Sequence, residues 1–104
     1  MIKKKRSEAD IQLSILQELK RQGKFCWRNQ PVTFNHQLGF HISNPYVPKG
    51  MPDILCCIDS QLVGIEVKTP KGKQSPDQIL FQKRLELSGG KYVLAKSVAD
   101  IKDI

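Results

Sequence analysis

The sequence contains no run approaching the ~20 consecutive apolar residues that a membrane-crossing helix needs, and its basic start, Met1-Ile2-Lys3-Lys4-Lys5-Arg6, is not followed by the apolar core of a signal peptide. An intracellular protein with no membrane partner is expected. Cysteine is scarce as well: Cys26, Cys56 and Cys57 are an odd number and lack the C-x2-C spacing of zinc sites. That argues against a disulfide framework and a structural zinc, and for buried thiols in a reducing compartment. There is no internal repeat and no low-complexity stretch beyond the basic run. At 104 residues the chain suffices for one hydrophobic core and not two, so residues 1–6 are read as a basic arm and 7–104 as a single domain.

Acidic side chains are the minority. Against 17 Lys and Arg stand 10 Asp and Glu, a net charge of +7. Four of the basic residues are Lys3, Lys4, Lys5 and Arg6, which leaves a mildly basic domain behind a strongly basic arm. Such an arm favours a polyanionic partner, most often nucleic acid; it also fits a solvated tail that aids solubility.

Ser7 with Asp10 three residues on forms a capping-box pattern, and Ile11, Ile15, Leu16 and Leu19 follow at helical spacing until Gly23. Glu8 projects from the side of the apolar stripe, either as a first-turn acid favoured by the helix dipole or as a functional group. Lys24 to Gln30 reads as a strand stopped by Pro31. Residues 31–52 read as a long loop with a small hairpin near Thr33 to Ile42. Ile54 to Ile58 and Leu62 to Val67 are two strands joined through Asp59-Ser60; being apolar on both faces, they belong in the middle of a covered sheet. Ser75-Pro76 opens a second helix carrying Ile79, Leu80, Leu85 and Leu87 and closing at Gly89-Gly90. A strand from Tyr92 to Ala95 and a short helix capped by Ser97, with Asp100 in the capping-box position, complete an α-β-β-β-α-β order with a final helix.

The central hairpin carries charge where its pattern predicts none. With a two-residue loop, Ile58 pairs with Gln61, and counting outward sets Asp53 opposite Glu66, with Lys68 returning to the same face. A three-residue loop would send Glu66 to the other face. Two opposed carboxylates call for a cation. Lys68 in a salt bridge supplies one; a divalent metal with oxygen ligands is the other choice, and would make a hydrolytic centre.

These residues resemble a known family. Gly50-Met51-Pro52-Asp53, followed thirteen residues after the Asp by Glu66-Val67-Lys68, is similar to the PD-(D/E)xK nuclease signature. With Ser75-Pro76-Asp77-Gln78 opening the next helix and Gly89-Gly90 closing it, most of the chain from Ser7 onward resembles the compact, stand-alone VRR-NUC branch known from phages and bacteria. The resemblance implies a restriction-endonuclease-like α/β core, a mixed central sheet flanked by helices, and a bacterial cytoplasm as the setting of a phage-encoded member. It implies Mg²⁺ or Mn²⁺ held by Asp53, Glu66, the main-chain carbonyl of Val67 and, through the first-helix acid, Glu8. Lys68 would orient or deprotonate the attacking water or offset charge on the phosphate, and Gln78 would support the site. Arg28 and Asn29 match polar residues on the family's first strand more loosely.

The expected activity is then a metal-dependent DNA endonuclease that leaves a 5′-phosphate and a 3′-hydroxyl, acts as a homodimer and prefers branched DNA such as a four-way junction. Lys3, Lys4, Lys5, Arg6, Arg28, Lys49, Lys71 and Lys73 would contact phosphates, giving salt-sensitive and sequence-tolerant binding. The competing readings are a non-catalytic nucleic-acid-binding module whose acids are structural, and a basic subunit docking an acidic protein.

Overall fold

A computed structural model of the chain describes residues 6–29, 32–35, 40–43 and 45–104. Helix α1 (Glu8–Arg21) is followed by strands β1 (Phe25–Arg28), β2 (Val32–Asn35), β3 (Phe40–Ser43), β4 (Ile54–Ile58) and β5 (Gln61–Val67), helix α2 (Pro76–Leu87), strand β6 (Lys91–Ala95) and a 3₁₀ turn at Val98–Ile101. The result is an α/β protein with a four-stranded mixed sheet in the order β1-β4-β5-β6; β2 and β3 pair separately as an antiparallel hairpin. Strands β1, β4 and β5 are antiparallel, and α2 is the crossover that lets β6 run parallel to β5.

Helix α1 starts where Ser7 and Asp10 make a reciprocal capping box, the Asp10 amide donating to Ser7 Oγ at 3.1 Å and the Ser7 amide to Asp10 Oδ2 at 3.2 Å. Its Ile11, Ile15 and Leu19, four residues apart, are buried on one sheet face against Ile54, Cys56, Ile58, Val63, Ile65, Val67, Ala95 and Ile101. Truncating a side chain such as Ile15 in this cluster costs about 2–5 kcal/mol. The β4–β5 turn takes positive φ at both central residues, Asp59 (51°) and Ser60 (65°), the conformation that matches strand twist in a two-residue hairpin. The two-residue loop and the Ile58–Gln61 pairing are therefore as the sequence predicts, and β4 and β5 are the inner strands.

Three expectations need correction. Cys26 and Cys56 form a disulfide: β1 lies antiparallel to β4 with these residues directly opposed, Cα atoms 4.1 Å apart, while Cys57, which alternation turns to the other face, is an exposed free thiol. Helix α2 buries only Leu85 fully, and Ile79, Leu80 and Leu87 are exposed. It needs few large side chains because glycines admit its backbone closely: a Cβ on Gly50 would stand 2.4 Å from the Asp77 carbonyl, and one on Gly90 2.4 Å from Leu85 Cδ1. Finally, the last helix is a single 3₁₀ turn without a Ser97 side-chain cap. Asp100 accepts instead from the Lys96 amide at 2.8 Å.

Candidate functional site

The face of the sheet opposite α1 carries the charged residues, at the end where β4 begins and β5 finishes. Ile54 pairs with Ile65, so Asp53 and Glu66 oppose each other one step further on. Asp53 is held from both sides. The Asn29 amide extends the β1–β4 ladder by donating to the Asp53 carbonyl at 2.8 Å, and Asn29 Nδ2 donates to the Pro52 carbonyl at 3.1 Å. Across the hairpin, the Val67 amide donates to Asp53 Oδ2 at 2.8 Å. A fixed backbone and a fixed carboxylate leave Asp53 with one orientation.

Glu66 is 2 % exposed, a buried charged residue beside an apolar core. Its Oε1 accepts from Gln78 Nε2 at 3.0 Å and lies 3.7 Å from Lys68 Nζ. Its Oε2 is buried with no hydrogen-bond partner. Burial, then the charge of the Asp53 carboxylate and the hydrogen bond that a protonated Glu66 shares with it, and last Glu8 further off, push Glu66 up to about 8, against the pull of Lys68. An unpartnered buried carboxylate oxygen is costly, so this one is a feature to explain.

Glu8 comes from the first turn of α1. Ligand-capable oxygens of Glu8, Asp53 and Glu66, from three separate segments of the chain, lie within 4.8 Å of one another. This is an all-oxygen donor set, of the kind that hard divalent cations take and thiophilic metals do not. Lys68 is the cation beside it.

Gln78 ties this cluster to α2. Its Oε1 accepts from the Ser75 amide at 2.8 Å and its own amide donates to Ser75 Oγ at 3.2 Å, completing a capping box, so the N-cap that starts the helix also aims Nε2 at Glu66. Gly50 makes this possible: its φ of 74° and its close approach to Asp77 and Gln78 seat the Gly50-Met51-Pro52-Asp53 segment against the first turn of α2.

Asp53, Glu66, Lys68, Gln78 and Glu8 are thus gathered in one place, with Val67 linked to it through its amide. Five of the expected phosphate-contacting residues are surface side chains. Arg28, Lys49, Lys71 and Lys73 are exposed, while the Arg6 guanidinium bonds the Asp10 carbonyl at 3.1 Å and the Ser14 hydroxyl, lying along α1. Lys3, Lys4 and Lys5 fall outside the described residues. The roles of Ser75 and Gly50 as supports were not read from the sequence; a glycine three residues before the acid, and a cap serine three before the glutamine, were the available signals. No helix among the described residues is long and apolar enough to cross a membrane. No protein-family model matches the chain, and no characterised protein matches it significantly.

Proposed function

We propose that this chain is a Mg²⁺- or Mn²⁺-dependent DNA endonuclease of the PD-(D/E)xK type, built like the stand-alone VRR-NUC nucleases that its motifs resemble. The observation that carries the reading is the meeting of carboxylate oxygens of Glu8, Asp53 and the buried Glu66 within 4.8 Å, together with a Glu66 Oε2 that receives no hydrogen bond from an N–H group. The residues fit a divalent ion: it would take up the orphaned oxygen and favour the ionised form of a carboxyl that burial otherwise keeps protonated. Asp53 and Glu66 would hold the ion with the Val67 carbonyl, and Glu8 would complete the set from α1. When bound, the ion activates water and stabilises charge on the scissile phosphodiester.

The chain's own groups do the rest. Val67 and Asn29 fix Asp53, and Gln78 fixes Glu66 Oε1, so both carboxylates are set before substrate arrives. Lys68 orients the attacking water and offsets the charge that builds on the phosphate. The remaining basic surface, Arg28, Lys49, Lys71 and Lys73 with the arm from Lys3 to Arg6, binds phosphates without reading bases. Phosphate contacts carry no base sequence, so the substrate is read by shape. A homodimer acting on a four-way junction, with one site per cut strand, suits such an enzyme.

The test is cleavage of a four-way junction and a linear duplex in Mg²⁺ by the wild type and by Asp53→Ala and Lys68→Ala. The expectation is junction cutting by the wild type, reduced ~10²-fold or more in each variant. Equal cutting by all three proteins would overturn the site, and equal cutting of both DNAs would overturn the shape preference. Tight DNA binding with no divalent-dependent cleavage would identify the non-catalytic module instead.

A further inference from the structure

Strand β1 is the edge of the sheet on the side away from β6, and it presents two aromatic rings. Phe25 and Trp27 are two residues apart and so share a face. Their ring centroids are 5.4 Å apart at 50°, yet they are 71 % and 41 % exposed. Cys26 between them turns to the α1 face, where it bonds Cys56. The aromatic pair therefore occupies the other face, the one that carries Glu66.

The register gives the distance to the site. Trp27 pairs with Leu55 and Phe25 with Cys57, so Asp53 is the diagonal neighbour of Trp27, a separation of roughly 7–8 Å. Asn29, two residues beyond Trp27, bonds the Asp53 backbone directly. Beyond Phe25 the apolar strip continues over exposed Cys57 to Leu62, itself 45 % exposed and paired with Cys57. A strip of this extent, crossing three strands, marks a contact surface, and rings that hold each other in place while keeping a free side are what a flat π-system stacks on.

We propose that Phe25 and Trp27 form a stacking platform for an unpaired nucleobase of the polynucleotide whose backbone is cut at Asp53 and Glu66. This deepens the nuclease reading and rests on it: it makes the substrate one with an unpaired or splayed nucleotide next to the scissile phosphodiester, as at a flap, loop or junction centre. Three observations favour a nucleic acid over a second copy of this chain. The platform is continuous with the acid cluster, one step along the same sheet face. Lys68, which alternation puts on the same face as Glu66, supplies a cation there for the phosphate next to the base. The chain's net charge of +7 attracts a polyanion. Base–aromatic stacking is tolerant of sequence, which suits a substrate read by shape.

Trp27 is the only tryptophan in the chain, so its fluorescence reports on this surface alone. The experiment titrates the full chain, without divalent metal, with a short single-stranded oligonucleotide and with the same strand annealed to its complement. The platform predicts quenching by the single strand and little by the duplex. By anisotropy of a labelled strand, which needs no tryptophan, it also predicts ~10-fold weaker single-strand binding for Trp27→Ala, near-wild-type binding for Trp27→Phe, and unchanged duplex binding for both. Equal quenching by the two DNAs, or Trp27→Ala binding the single strand as well as Trp27→Phe does, would overturn it. So would quenching that grows with protein concentration when no DNA is present, which would mean that a second copy covers this face. Because no metal is present, a protein that passes this test and then fails to cleave in Mg²⁺ refutes the nuclease reading separately from the platform.

Discussion

Gln78 Nε2 lies 3.0 Å from Glu66 Oε1, and the same side chain closes the N-terminal capping box of α2 through its Oε1. One amide thus starts a helix and holds a buried carboxylate. Gln78→Glu separates the two duties, because glutamate also serves in a capping box but brings an acceptor where Glu66 needs a donor. The expectation is unchanged helix content with metal affinity and cleavage reduced ~10- to 100-fold. Circular dichroism with metal titration checks it, and a variant that keeps wild-type metal affinity would refute the positioning role.

The second prediction concerns pH. The native Glu66 carboxyl holds its proton up to about 8, whereas in the unfolded chain it lets go near 4.5. The folded state therefore binds more protons across that interval, and by linkage this group's contribution is full at low pH and is lost as pH rises through the native value. In chelator, the melting temperature of the wild type should fall by several degrees more than that of Glu66→Gln between about pH 5 and 8. Parallel pH profiles for the two proteins would contradict it. Saturating Mg²⁺ should flatten the wild-type profile.

The third prediction concerns the cysteines. The Cys26–Cys56 bond spans 30 residues, and closing a loop of that length stabilises by about 3–4 kcal/mol in the chain-entropy model. Reductant should lower the melting temperature of the wild type and leave that of Cys26→Ser unchanged. Alkylation without reductant should label Cys57 and spare the other two; labelling of all three would show the thiols free.

How far the sequence carries depends on which contacts are local. Hairpin register, both helix caps and the opposition of Asp53 and Glu66 follow from spacing within a few residues of a turn, where Asp59-Ser60 or Ser75-Pro76 dictates the geometry. The cysteine pair does not: it depends on β1 lying against β4 across a long connection, which no periodicity encodes. The same holds for Trp27, which reads as one aromatic in a short strand until its pairing with Leu55 places it beside Asp53. Helix α2 misleads for another reason. Its leucines suggest a broad buried face, but glycines at 50 and 90 allow close docking with Leu85 as its one buried leucine and Gln78 bonded to Glu66. Glu8 is an intermediate case, since spacing alone puts it in the first turn and only the family resemblance brings it to Asp53 and Glu66.

The account stands on Glu8, Asp53 and Glu66 acting as one cation site, and calorimetric titration with Mn²⁺ tests that most directly. The wild type should bind the ion saturably at neutral pH with release of protons from Glu66, and both the binding heat and the proton release should disappear in Asp53→Ala. Mn²⁺ binding of equal strength in that variant, or no saturable binding by a folded wild type, would contradict the site.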